Sequence, residues 1–212
     1  MSARVVVITD RALCAIPAMR DRLAAILDAV PRGAVRIQIR EKDLDGGPLL
    51  ALALDVIALA RPRGAEVWIN DRADVAAAAG ADGVHLPERG LAIADARALG
   101  LRAGSSRHSI EGARAAAAAG AELVHLGPIW STPSKQGWIE PLGPGVLGNP
   151  LGVPIVAVGG IDSIDRAREA ARAGASAVAV IRAAWTTDDP ARVIAAMCAA
   201  VADAHQTPGT SR

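Results

Sequence analysis

Gln38, Arg40 and Lys42 occupy every second position of the stretch VRIQIREKD, residues 35 to 43, with Arg36 on their side and Val35, Ile37 and Ile39 on the other. Alternate side chains of a strand point to opposite faces, so one face is apolar and the other carries an amide and a row of cations. An exposed edge strand guarded by charge is one setting for this pattern. A strand whose polar face meets an anionic ligand is another. Other stretches carry compatible chemistry: Asn70 and Asp71 close VWIND, His85 closes GVHL, and Ser105 and Ser106 close RAGSS. GPIWSTPSKQGW sets Thr132, Ser134 and Lys135 on one loop. Hydroxyls interleaved with an ammonium suit phosphate oxygens, although an ordinary polar loop reads the same way. Lysine is rare: of 23 cationic residues only Lys42 and Lys135 are lysines. A compact ammonium does what a guanidinium fork cannot, so both become candidates.

These residues need elements to bring them together. AAAAGADGVHL from Ala76, AAAAAGAELVHL from Ala115 and EAARAGASAVAV from Glu169 repeat one unit: the end of an Ala-rich helix, a glycine suited to a left-handed cap, and a short apolar strand. Repeated helix-to-strand joints indicate a parallel sheet with helical crossovers. Eight apolar runs, VVVIT, VRIQIRE, VWIND, GVHL, RAGSS, LVHLGP, IVAVGG and AVAVIR, predict a single (β/α)8 TIM barrel over residues 1–204, with HQTPGTSR as a frayed tail over 205–212. A doubly wound open sheet is the alternative, but VVVITDRAL lacks the Gly-rich first turn of that fold. Residues 129–154 read as a Pro/Gly-rich loop with a short helix at most. In a barrel, Val35, Ile37 and Ile39 meet the helices, while Gln38, Arg40 and Lys42 face the C-terminal mouth where such folds keep their active sites. Arg36 is expected to reach solvent at the opposite end. The loops after strands seven and eight, with the backbone around Gly160, Ile181 and Arg182, are expected to hold phosphate.

Composition narrows the function classes. A net charge of +1 over 212 residues gives no general attraction to nucleic acid or to anionic membrane, and no uncharged apolar run reaches the ~18 residues of a membrane span. The start shows no targeting pattern, which makes the cytoplasm the default location. Cys14 and Cys198 show no ligand spacing and read as buried thiols. His85, His108 and His125 read as packing or hydrogen-bonding residues.

In order and spacing, VVVITDR, IQIREK, INDRADVAAAAGADGVHL, GSSRHS, GPIWSTPSK, IVAVGGI and AVAVIRAAW resemble the thiamin phosphate synthase and TenI family of (β/α)8 proteins. The resemblance implies an enzyme that couples hydroxymethylpyrimidine diphosphate to thiazole phosphate and releases pyrophosphate. It implies that Gln38 contacts the pyrimidine, that Arg40, Lys42, Asn70, Ser106 and Lys135 hold the diphosphate, and that Thr132 and Ser134 with the backbone around Gly160, Ile181 and Arg182 hold the thiazole phosphate. Asp71 would be one of two carboxylates on Mg2+. The chain departs from the family at VHLPERG, which puts Gly90 where synthases carry the second carboxylate; the metal site should then be weak, Glu88 could replace the missing ligand or stay solvated, and Gly90→Asp should restore the site unless Gly90 needs a left-handed backbone. A TenI-like tautomerase is the alternative, although Pro128 stands where that branch carries a histidine. A non-catalytic binder of thiamin precursors is a third. The expected partners are small phosphorylated substrates, without nucleic acid or membrane, and a homodimer remains open.

Overall fold

Short apolar runs separated by Ala-rich segments cannot bury both faces as isolated strands, and in the computed structural model, which describes residues 3–132 and 140–206, they close on one another. Strands β1 (Val5–Ile8), β2 (Val35–Ile39), β3 (Glu66–Asn70), β4 (Gly83–Leu86), β5 (Ala103–Arg107), β6 (Leu123–Leu126), β7 (Ile155–Val158) and β8 (Ala177–Val180) are parallel and pair in chain order, and β8 returns to β1. The fold is a single (β/α)8 barrel. Helices α1 (Ile16–Ala29), α2 (Gly46–Ala60), α3 (Ala73–Ala79), α4 (Ile93–Ala98) and α5 (Ile110–Ala118) make the first crossovers. From β6 to β7 the described residues carry only a 3-10 turn, Pro144–Gly148, as the Pro/Gly content there implies. Helices α6 (Ile164–Arg172), α7 (Arg182–Trp185) and α8 (Pro190–Gln206) complete the ring. Gly80, Gly120 and Gly174 of the repeated unit all take left-handed φ values, which is what ends each helix and sends the chain into the next strand.

The apolar residues divide into two layers. Ile37 and Ile39 are fully buried between the strands and the helices, with Val5, Val7, Leu23, Ile26 and Ile194. Inside the barrel Val6, Ile8, Trp68, Leu123, Val156, Ala177 and Ala179 fill the cross-section, so the interior is a packed core. Gly83 and Gly104 make room for the Trp68 ring: a Cβ on either would come within 2.9 Å of it.

One expectation is corrected. Arg36 reaches solvent only slightly; its side chain is 12% exposed, lies 4.7 Å from the Trp68 ring centroid and bonds Glu66 at 2.6 Å. Arg102 covers the same ring, bonds Glu66 at 2.8 Å and pairs with Glu122. Burial pushes the Glu66 carboxyl up, but hydrogen bonding to Arg102 and the Arg36 charge outweigh this and hold it below its ordinary range. The half-buried Arg36 is paired within an ion network at this end. The last helix runs beyond residue 204, through Gln206, with His205 Nε2 2.9 Å from Ala175 O. Among the described residues no helix is long and apolar enough to cross a membrane.

Candidate active site

The strand pleat delivers Gln38, Asn70, His85 and Ser106 to the inner face of the barrel near its C-terminal mouth, on four neighbouring strands. Gln38 is 3% exposed; its Nε2 donates to Asn70 Oδ1 at 3.2 Å, and its Oε1 is buried without a partner among the described residues. Arg40 follows β2 directly and is fixed through its N–H, which donates to Thr9 Oγ1 at 2.9 Å.

Lys42 lies beyond the reach of the pleat, because β2 stops at Ile39 and Lys42 sits exposed on the following turn. Glu41, which the alternation sends to the apolar face, is 6% exposed and accepts from the Arg11 N–H at 3.1 Å, with the Arg11 guanidinium 3.9 Å away. Arg11 also pairs with Asp43. The loop after β1 therefore holds both neighbours of Lys42.

Asp71 follows β3 with φ +67°, the one left-handed non-glycine residue among those described. Its N–H donates to His85 O at 2.9 Å and its carbonyl accepts from Ala73 N–H at 3.1 Å. The exposed carboxylate of Asp71 lies against the loop after β4: a Cβ added at Gly90 would be 2.8 Å from Asp71 Oδ1 and 2.8 Å from the Pro87 ring. Gly90 is not left-handed, so backbone strain does not bar a side chain there; crowding does. The space expected for a second carboxylate is thus filled by Asp71 itself and by Pro87. Glu88 does not join Asp71; it stays exposed to solvent, with its Oε2 2.6 Å from His108 Nδ1.

His85 Nε2 is 2.7 Å from Ser106 Oγ, and the ring packs on His125 at 4.0 Å between centroids. Burial lowers the His85 pKa to about 3, and the charges of Arg36, Arg107 and Arg40 add to the effect. Burial also holds His125 well below the ordinary histidine value, with the neighbouring His85 contributing. Both rings are neutral at physiological pH.

The far side of the mouth is built by β7, β8 and the loop after β6. Gly160 has φ +73°, and a Cβ there would meet Trp130 Cβ at 2.6 Å, so only glycine lets the two loops touch. Arg166 lies 5.5 Å from the Trp130 ring centroid and donates to Gly160 O at 2.6 Å, which anchors this tryptophan. Ile181 and the exposed Arg182 open the four-residue α7, which Trp185 pins through an Nε1–H bond of 2.7 Å to Ile8 O. Thr132 is half-buried on the loop after β6; Ser134 and Lys135 lie outside the described residues.

Gln38, Arg40, Asn70, Asp71 and Ser106 are thus gathered at one side of the mouth, with Gly160, Ile181 and Arg182 at the strand ends that close the ring. Sequence reasoning passed over Glu41 and Arg11, for which the alternation gave no signal. It also passed over the partnership of His85 with Ser106. The alternation of Gly83 and His85 in GVHL does put that histidine on the inner face, so the signal for it was present.

The chain is similar to proteins of known family. A family model described as thiamine monophosphate synthase matches residues 5–184. A thiamine-phosphate synthase of Anaeromyxobacter dehalogenans is 42% identical over 186 residues, which cover 85% of this chain and 83% of that protein. Another, from Chlorobium luteolum, is 36% identical over 208 residues, 93% of this chain and 96% of its own. Among solved structures, the thiamine phosphate pyrophosphorylase of Pyrococcus furiosus superposes with a TM-score of 0.81 at 29% identity, covering 95% of this chain and 96% of that one. The chain belongs to the thiamine monophosphate synthase family.

Proposed function

We propose that this protein joins hydroxymethylpyrimidine diphosphate to thiazole phosphate, forming thiamin phosphate and releasing pyrophosphate, the transferase activity for which its relatives are named. The observation that carries the reading is Gln38. Its amide is buried at the inner side of the mouth, with Nε2 committed to Asn70 and Oε1 without a partner. An open buried acceptor is costly unless a donor reaches it. The exocyclic amine of an aminopyrimidine is such a donor.

With the pyrimidine on Gln38, its diphosphate extends toward Arg40, Asn70 and Ser106, and toward Lys42 and Lys135 on their loops. The thiazole nitrogen attacks the methylene carbon of the pyrimidine with its lone pair, the carbon–oxygen bond breaks, and the electron pair departs with pyrophosphate. The nucleophile loses no proton, so no general base is required. Fixed donors aimed at the departing oxygens stabilise the charge as it develops. Thr132, Ser134 and the backbone N–H groups of Gly160, Ile181 and Arg182 hold the thiazole phosphate.

Among the described residues no three His, Cys, Asp or Glu side chains gather as a metal cage. Asp71 offers one exposed carboxylate, and Mg2+ is commonly held by one or two carboxylates together with substrate phosphates and water. That donor set fits the ion once diphosphate is present, and bound Mg2+ would neutralise part of the leaving group's charge. The tautomerase alternative needs a proton-transferring group beside the thiazole, and Pro128 supplies none.

Gln38→Ala tests the reading. It should raise KM for the pyrimidine diphosphate by about tenfold, the scale of one hydrogen bond to a buried group, while KM for thiazole phosphate stays unchanged. An equal change in both, or in neither, would remove Gln38 from pyrimidine recognition.

A further inference from the structure

His85 is 2% exposed, on the inner face of β4, with Nε2 2.7 Å from Ser106 Oγ. A hydrogen bond of this length can run in either direction, and the direction decides what Ser106 shows to the mouth. A neutral imidazole has one N–H and one lone pair, and a serine hydroxyl has one proton and two lone pairs. If Ser106 donated to Nε2, its only proton would be consumed inside the barrel and lone pairs alone would face the ligand. If Nε2–H donates to Ser106, the hydroxyl keeps its proton for the mouth.

Two observations select the second arrangement. Nδ1 makes no hydrogen bond among the described residues and lies over Gly104, whose missing side chain leaves room for the ring: a Cβ there would be 3.2 Å from Nδ1. A proton on Nδ1 would therefore have no acceptor among the described residues, whereas one on Nε2 has Ser106 Oγ 2.7 Å away. The second is the ring's surroundings, which are apolar and cationic: Trp68 and Leu123 border Gly104 from below, His125 packs on the ring, and Arg40 stands at the mouth above. An imidazolium is disfavoured there, so the donor toward Ser106 must be the neutral Nε2–H form.

We infer that His85 is a positioning residue that donates Nε2–H to Ser106 Oγ and so turns the Ser106 hydroxyl proton outward, to be given to an anionic oxygen of the ligand. The ligand half of the inference rests on the proposed synthase reading; the tautomer does not. A mouth built this way favours diphosphate oxygens, which accept only, over neutral groups that would bring their own protons.

Two measurements on the full chain test it. Nitrogen NMR of the ligand-free protein with labelled histidine should show His85 protonated at Nε2 and bare at Nδ1. A proton on Nδ1 would overturn the inference whatever the reaction is. Calorimetry with inorganic pyrophosphate and Mg2+ should then show that Ser106→Ala and His85→Leu each weaken binding by about tenfold or more, the scale of one hydrogen bond to a charged group, and that the double variant loses no more than either single one. His85→Gln, whose amide can still donate, should recover part of the loss, which a purely packing role would not predict. Additive losses, or no recovery in a folded His85→Gln protein, would overturn the positioning role. Failure of the native protein to bind pyrophosphate would overturn the synthase reading and the ligand half of the inference, with the tautomer still decided by NMR.

Discussion

Asp71 holds φ at +67°, a region that costs a non-glycine residue about 1–2 kcal/mol, and such residues persist where the surroundings fix them. Here the N–H bond to His85 O and the contact with Gly90 do so. Gly90 thus has a role of its own, making room for the Asp71 carboxylate. Gly90→Ala should displace that carboxylate and raise the Mg2+ concentration for half-maximal rate several-fold, and Gly90→Asp should fail to lower it; a Mg2+ titration of pyrophosphate release, with thermal melts to confirm folding, checks both. A folded Gly90→Asp protein that needs less Mg2+ than the native chain would restore the idea of a vacated ligand position. Lys135 supports an expectation from sequence chemistry alone: Lys135→Ala should weaken pyrimidine diphosphate binding by about 1.5–3 kcal/mol, and Lys135→Arg should not fully restore it, both read by calorimetry. Residue types announced most of the site, because amides, hydroxyls and cations at strand ends are visible in a sequence. The crowding at Gly90 was hidden, since it depends on how the loops after β3 and β4 come to touch.

Strands place the site to within the limits of their own regularity. Gln38 lies inside β2, so alternation assigned its face correctly; Lys42 lies past the end of β2, where Arg11, Glu41 and Asp43 fix the turn instead. Alternation is local, whereas that turn depends on a contact thirty residues away in sequence. The joint between β7 and the loop after β6 is a second place where one element sets another. Gly160→Ala adds a left-handed cost of about 1 kcal/mol and drives a methyl into Trp130, so it should lower Tm by several degrees and raise KM for thiazole phosphate while leaving KM for the pyrimidine diphosphate unchanged. Melts and steady-state kinetics read both, and an unchanged KM for thiazole phosphate in a destabilised protein would separate this loop from that substrate.

The barrel as a whole was legible from the repeated helix, glycine and strand unit, because each repeat has to bury the same apolar stripe against its neighbours. What fills its centre was less so. An apolar layer around Trp68 lies between an ion network at the bottom and a polar mouth, and His85 and His125 sit at the upper boundary as neutral rings. This predicts an acid weakness. The unfolded chain protonates these histidines near pH 6.5 and the folded chain does not, so stability falls as pH drops below 6.5, by up to about 1.4 kcal/mol per pH unit for each ring, and for His85 the loss continues down to about pH 3. Urea midpoints at pH 7.5 and 5.5 should differ accordingly, with His125→Gln reducing the slope by about one proton; equal midpoints would mean the rings are not held neutral. The central claim is tested most directly by turnover. Purified protein mixed with hydroxymethylpyrimidine diphosphate, thiazole phosphate and Mg2+ should yield thiamin phosphate and pyrophosphate in equal amounts, and omission of either substrate should abolish both products. A folded protein that binds both substrates and forms neither product would contradict it.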